Sequence, residues 1–253
     1  MRPGEIMETT DPTPRLSVVV PFYNEEDVAA FVVDEIGREL TVFGASWEAI
    51  LVDDGSTDRT AERLAAAQQR WPGCRLLRLP KNIGQGPALF EGVRHARAPL
   101  IATMDGDGQN LPGDIPVLLA CLGRADLVVG VRTDRRDSRM RRGLSLLANA
   151  VRSRLLRDGV RDAGCALKVF RRDVVSALRP MPMLNPFMPA LAVAAGFKVA
   201  EHPVRHRARL AGRSKYRGTA LLFRPAGQLL SVWWVLRHAR KAGNFPANAA
   251  RRP

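Results

Sequence analysis

Along the first half of the chain, short unbroken apolar runs alternate with longer stretches whose apolar residues recur every three or four positions. "LSVVVPF" (16–22) is a β-branched run halted by a proline. "NEEDVAAFVVDEIGREL" (24–40) follows it with helical spacing and acidic residues at its start. The same couple recurs as "EAILVDD" (48–54) before "STDRTAERLAAAQQR" (56–70), "RLLRL" (75–79) before "GPALFEGVRHAR" (86–97), and "LIATMD" (100–105) before "PGDIPVLLACL" (112–122). Strands alternating with amphipathic helices predict a parallel sheet wound by right-handed crossovers, an α/β class. Ligands of such sheets gather at the carboxyl ends of the strands. Polar clusters stand there: Tyr23, Asn24 and Glu25; Asp53 and Asp54; Lys81 and Asn82; and Asp105 to Gln109.

The second half reads differently. Nine arginines fall between Arg132 and Arg157, "ADLVVGVR" (125–132), "CALKVF" (165–170) and "FKVAEHPVRHR" (197–207) suggest further strands, and "RLAGRSKYRG" (209–218) is a glycine-rich turn. These shifts divide the chain into a tail over 1–15, one domain over 16–218, amphipathic helices over 219–241 and a second tail over 242–253. Cys74, Cys121 and Cys165 lie far apart without metal-ligand spacing, which argues against a disulfide framework or a zinc site. No apolar run approaches the roughly 20 residues a membrane span needs, and the first residues lack a signal peptide's apolar stretch. The net charge of +14 points to a polyanionic partner: nucleic acid, an anionic membrane surface or a phosphorylated substrate.

"MDGDGQN" (104–110) bears on that choice. Breaking a sugar–diphosphate bond builds charge on the leaving diphosphate, and Mg²⁺ or Mn²⁺ takes it up as a Lewis acid. Mg²⁺ accepts one or two carboxylates beside phosphate oxygens and water, so Asp107 and the Gln109 amide oxygen could ligate it, with Asp105 facing the ribose or standing behind the metal. The same residues could simply end a strand, since Asp and Gly favour turns. "VDDGSTD" (52–58) weighs against that reading. Gly55 permits a tight turn and Ser56 or Thr57 with Asp58 can cap a helix, but paired Asp53 and Asp54 repel unless a ligand's hydroxyls or amino groups satisfy them. Asp54 is thus a candidate for the nucleoside. In "NIGQGPA" (82–88), Gly86 sits where a backbone nears a ligand or a helix opens toward phosphate.

Taken in order, "VVVPFYNEED", "ILVDDGSTDRT", "NIGQGPALFEGVRHA", "IATMDGDGQN", "VVGVR", "DAGCALKVFRRD" and "HRARLAGRSKYRG" resemble glycosyltransferase family 2, and within it the polyprenyl-phosphate glycosyltransferases of the dolichol-phosphate mannose synthase type. The resemblance covers about residues 16–218. It implies a GT-A, Rossmann-like fold, a mostly parallel sheet with flanking helices, plus C-terminal amphipathic helices. It implies donor contacts at Pro21, Tyr23, Glu25, Val52, Asp54, Asp105, Gly106 and Asp107, with the metal on Asp107 and Gln109. It also implies that Arg132, Arg141, Ser145, Arg209 and Lys215 handle the phosphates of a nucleotide-sugar donor, such as GDP-mannose or a UDP-hexose, and of a dolichyl or undecaprenyl phosphate acceptor at the cytoplasmic membrane face.

A phosphate acceptor suits this chain. A phosphomonoester has a second pKa of about 6 and arrives ionised at pH 7, so it needs positioning by arginine forks rather than a base. A rival family member would act on a saccharide hydroxyl and use Asp162 as base, unless Asp162 merely orients an arginine. Lys168 reads as a neighbour of the donor sugar or as an exposed strand residue. In "RPAGQLLSVWWVLRHARK" (224–241), Trp233 and Trp234 suit the water–lipid boundary, the domain's own core or a homodimer contact. A basic nucleic-acid-binding protein is disfavoured, because the arginine stretch lacks interleaved aromatics and strand-end carboxylates repel phosphates.

Overall fold

A computed structural model of the chain describes residues 13–133, 149–210, 229–230, 232–234 and 236–237. Its strands are β1 (Leu16–Phe22), β2 (Trp47–Asp53), β3 (Cys74–Arg78), β4 (Leu100–Thr103), β5 (Leu127–Arg132), β6 (Lys168–Arg171) and β7 (Val199–Val204). Between them run helices α1 (Ala29–Phe43), α2 (Thr60–Arg70), α3 (Gln85–His95), α4 (Ile115–Cys121), α5 (149–156) and α6 (Leu184–Ala194), with helical residues at 229–230, 232–234 and 236–237 beyond, termed the 229–237 helix for the described residues it contains.

One seven-stranded sheet has the order β3-β2-β1-β4-β6-β5-β7. Every residue of β1 is buried, as its unbroken apolar run requires of a strand covered on both faces. Side chains alternate along it. Val19 faces a cluster built with α3, α6 and Val232 and Leu236, while Val18 and Val20 face a cluster built with α1, α2 and α4. The chain leaves β1 toward β2 and β3, then returns to place β4 on the other side of β1. That reversal opens a crevice at the carboxyl ends of β1 and β4, where open α/β sheets bind ligands.

The sheet is as expected and two details of the pattern are corrected. β6 runs antiparallel to both β4 and β5, which makes the sheet mostly parallel, the expected class. Helix α1 opens at Ala29, not at the acidic residues before it. The amides of Asn24, Glu25 and Glu26 donate instead to Ser56 Oγ, Thr60 Oγ1 and Asp58 Oδ2, tying the loop after β1 to the loop after β2. For the same reason Ser56 and Thr57 do not cap α2, which begins at Thr60. Gly55 does make the expected turn, with φ +63, and a Cβ there would meet the Lys81 backbone at 2.4 Å.

Candidate active site

The loops after β1, β2 and β4, the start of α3 and the segment after β7 enclose a cleft of about 410 Å³. Pro21 lines it from the end of β1, Tyr23 and Glu25 from the first loop, Asp54 from the second, Asp105, Gly106, Asp107 and Gln109 from the third, and Arg209 from the last. Four strand-end clusters were read from the sequence, and the cleft draws on all of them, since Asn82 lines it too.

Asp54 is almost wholly buried, and its carboxylate is satisfied from within the protein. Oδ1 accepts from the Ile83 amide at 2.8 Å, and Oδ2 accepts from the Gly84 amide and Asn82 Nδ2, each at 3.0 Å. Asp53 Oδ1 accepts from the Ser56 amide at 3.1 Å, and its fully buried Oδ2 lies 3.5 Å from Arg78 Nε. For Asp54 the protein's own donors therefore do what the pairing of two carboxylates was taken to ask of a ligand, while Asp53 Oδ2 has the Arg78 charge nearby and no hydrogen bond. Asp54 still lines the cleft, now as a rigid acceptor that also fixes the loop leading into α3.

The loop after β4 is shaped from both sides. A Cβ on Gly106 would stand 2.5 Å from the Phe22 ring and 2.8 Å from the Pro21 carbonyl oxygen, so only glycine lets this loop lie against the end of β1. The Asp105 amide donates to Asn110 Oδ1 at 3.0 Å, and Gln85 Nε2 at the start of α3 donates to Asp105 Oδ1 at 2.6 Å. Burial, and after it the charge of Asp107, pushes the Asp105 carboxyl up to about 6, against the pull of Lys168, Gln85 and Arg132. Asp107 Oδ1 accepts from the Gln109 amide at 3.0 Å, and Oδ2 accepts from Arg209 Nη2 at 2.8 Å. Arg207 clamps the same loop. It donates to the Gly108 carbonyl and pairs with Glu35 of α1 at 2.6 Å.

Arg132 does not line the cleft. Its Nε and Nη2 bond Asp162 Oδ2 and Oδ1 at 2.8 and 2.7 Å, with side chains only 18% and 8% exposed. Burial works against the Arg132 charge, and the hydrogen bonds and charge of Asp162 more than offset it, so its pKa stands above the ordinary value. Asp162 thus orients an arginine. Lys168 is fully buried rather than an exposed strand residue, and its Nζ reaches the Ala163 and Cys165 carbonyls and Asn185 Oδ1 of α6. Burial lowers its pKa to about 8, although the Cys165 thiol, Asp105 and Asp162 oppose this.

Two expected donor residues lie elsewhere. Val52 is wholly buried in the core beneath α3. Gly86 is also buried, and a Cβ there would come within 2.0 Å of the Met181 carbonyl oxygen, so its missing side chain serves close packing of the chain on itself. Arg141, Ser145 and Lys215 lie outside the described residues. Of the tryptophans, Trp233 packs against the core while Trp234 is 57% exposed. Gln85 and Arg207 were missed by sequence reasoning, and Asn82 was given no role of its own. Asn82 stood in a strand-end cluster and carried a signal, whereas Gln85 and Arg207 meet the site only through tertiary placement.

Among the described residues no group of three or more His, Cys, Asp or Glu side chains is placed to cage a cation. The donor set at Asp105, Asp107 and Gln109 is instead hard oxygen with two neighbouring carboxylates, which suits a cation completed by substrate phosphates.

The profile of Glycosyl transferase family 2 matches residues 17–179. Dodecaprenyl-phosphate galacturonate synthase of Rhizobium johnstonii is 38% identical over 248 residues, covering 95% of this chain and 73% of that protein. Undecaprenyl-phosphate 4-deoxy-4-formamido-L-arabinose transferase of Edwardsiella ictaluri is 38% identical over 204 residues, covering 79% of this chain and 62% of that protein. The chain thus spans about three quarters of the first relative and less than two thirds of the second. Among solved structures, glucosyl-3-phosphoglycerate synthase from Mycobacterium tuberculosis, in complex with Mn²⁺, UDP-glucose and phosphoglyceric acid, superimposes with a TM-score of 0.65. That match covers 88% of this chain and 79% of that one at 21% identity, and it supports the GT-A fold alone. With a family profile spanning well over half its length and a relative at 38% identity along nearly all of it, the chain belongs to glycosyl transferase family 2 and is a glycosyltransferase.

Proposed function

We propose that the protein is an inverting transferase that moves a sugar from a nucleoside diphosphate donor to a polyprenyl phosphate, bound peripherally at the cytoplasmic membrane face. The observation that carries the proposal is the meeting of Asp54, Asp105, Asp107, Gln109 and Arg209 on one cleft at the strand ends. The names of the two relatives support a polyprenyl phosphate as acceptor. No helix among the described residues is long and apolar enough to cross a membrane.

Each part of the cleft has a task in this reading. Pro21, Tyr23 and Asp54 receive the nucleoside. Asp107 and Gln109 would hold Mg²⁺ or Mn²⁺, with Asp105 behind them, and such a cation would supply Lewis-acid neutralisation of the leaving diphosphate. Arg209, already at the cleft on Asp107, supplies a second positive group for the donor phosphates. An acceptor phosphate oxygen attacks the anomeric carbon from the side opposite the diphosphate. The new C–O bond forms as the old one breaks, and its electron pair leaves with the diphosphate. An ionised phosphate requires no base, and Asp162, the carboxylate a hydroxyl acceptor would have called on, is bound to Arg132. Arg132, with Arg141, Ser145 and Lys215, is assigned to the phosphates of the acceptor and donor.

The test is a panel of nucleotide sugars, including GDP-mannose and UDP-hexoses, offered with a short polyprenyl phosphate and a divalent cation, with product recovered by organic extraction. One donor should give a lipid-soluble product, and Asp107→Ala should abolish it. Product that stays water-soluble with a saccharide acceptor, or wild-type turnover by Asp107→Ala at saturating metal, overturns the reading.

A further inference from the structure

Away from the strand-end cleft, α5 and the 229–237 helix enclose a second cavity of about 470 Å³. Leu155, Leu156, Trp233 and Leu236 contribute its apolar walls, and Arg154, Arg157 and Arg237 its charge. Among the described residues no carboxylate lines it. The acid nearest in sequence, Asp158, is buried and bonded to Arg152, so among the described residues no acid offsets the cavity's positive charge. Three guanidinium groups around one hollow repel one another, and an anion relieves that repulsion.

Their setting narrows the anion. The Arg237 guanidinium lies 5.1 Å from the centroid of the Trp233 ring, which steadies one of its faces and leaves its N–H edge for an oxyanion. The same two helices carry exposed apolar side chains: Val151 at 53%, Leu230 at 60% and Trp234 at 57%. Leu230, Trp234 and Arg237 follow at intervals of four and three, and Val151 and Arg154 at three, so apolar and cationic residues share a helix face. A soluble phosphate needs the arginines and has no use for that apolar rim. A membrane surface uses both, with phosphodiesters meeting arginine and tryptophan and leucine entering the acyl boundary.

We infer that the cavity between α5 and the 229–237 helix is a docking site for the headgroup of an anionic phospholipid, which holds the protein on the membrane beside its acceptor. This rests on the reading of the acceptor as a membrane lipid, and it adds a site separate from the one that performs transfer. Each basic residue near an anionic surface strengthens binding about fivefold, so three together contribute about 100-fold.

The experiment is flotation of the full chain with phosphatidylglycerol-containing vesicles and with pure phosphatidylcholine vesicles, for wild type and for Arg154→Gln/Arg157→Asn/Arg237→Gln. Asn is chosen at 157 because Arg157 has φ +57, a conformation Asn tolerates. Wild type should float with the anionic vesicles, more weakly at high salt. The triple variant should lose about 100-fold in partitioning while keeping its melting temperature and its transfer to a water-soluble short-chain prenyl phosphate. Leu230→Ser/Trp234→Ser should weaken flotation without removing its salt dependence. Equal flotation of wild type and triple variant overturns the proposal. So does full displacement of wild type from vesicles by inorganic phosphate, which makes the site one for a free anion, or tighter binding of RNA than of anionic vesicles that the triple variant loses. If the short prenyl phosphate is no substrate for either protein, the acceptor assignment fails while the flotation result stands by itself.

Discussion

Replacing Asp162 by Asn separates a carboxylate that holds an arginine from one that takes a proton. The Arg132–Asp162 pair makes two side-chain bonds of 2.7 and 2.8 Å, and the Arg132 amide adds a third to Oδ2 at 3.2 Å. Both side chains are mostly buried, at 18% and 8% exposure. Removing one partner of such a pair costs about 3–5 kcal/mol, and Asn, which keeps the shape and one acceptor oxygen, belongs near the lower end. At roughly 2–4 °C per kcal/mol for a chain of this size, the melting temperature should fall by about 6–12 °C. Melts followed by circular dichroism supply that number, and initial rates over a range of acceptor phosphate concentrations supply the rest. With Arg132 no longer clamped, KM for the acceptor should rise and transfer should fall together with stability. Arg132→Met should give a similar loss, and the double variant should cost much less than the sum of the two. A variant Asp162→Asn with the wild-type melting temperature and no detectable kcat would refute this reasoning and assign Asp162 as the base.

Other perturbations have equally definite outcomes. Asp105 ionises near pH 6 in the folded chain and near 3.8 when unfolded, so the folded state binds more protons across that window and this group costs stability as pH rises through it. Asp105→Asn should therefore raise the melting temperature above pH 6 by a few degrees, about 1–2 kcal/mol after solvent screening, while transfer is lost; an unchanged or lowered melting temperature at pH 7.5 contradicts the electrostatics. Lys168 behaves in the opposite sense. Its folded pKa of about 8 lies below the ordinary 10.5, so the unfolded chain binds more protons between those values and wild-type stability gains from this group as pH rises from 8 toward 10.5. The melting difference between wild type and Lys168→Met should drift in favour of wild type over that interval, and a constant difference argues against a buried, titrating amine. Gly92→Ala would put a Cβ 2.4 Å from Val19 Cγ1 and 2.7 Å from Val52 Cγ2, both on stiff β-branched side chains. It should destabilise the fold by about 1–3 kcal/mol in urea unfolding with an unchanged m-value.

The sequence carried those features whose cause is local. β1 and β2 announce themselves because strands covered on both faces must be apolar throughout, and the motif residues at their ends fall on one rim because parallel strands point the same way. The direction of β6 was not legible, since the spacing of apolar residues in "CALKVF" is the same whichever way the strand runs. The start of α1 was misplaced because the amides of Asn24, Glu25 and Glu26 are satisfied by side chains more than thirty residues away. Gly86 resembles a ligand-facing glycine until Met181 is brought against it, and Gln85 has no local feature that marks it as the donor to Asp105. Lys168 would be exposed on an edge strand; its place between β4 and β5 buries it.

Diffraction at the manganese absorption edge, from crystals grown with Mn²⁺ and a nucleoside diphosphate, tests the site most directly. A single anomalous peak touching Asp107 and Gln109, with the diphosphate beside it and Arg209 turned toward the phosphates, is the predicted result. An anomalous peak away from the loop after β4, or a diphosphate bound outside the strand-end cleft, contradicts the account.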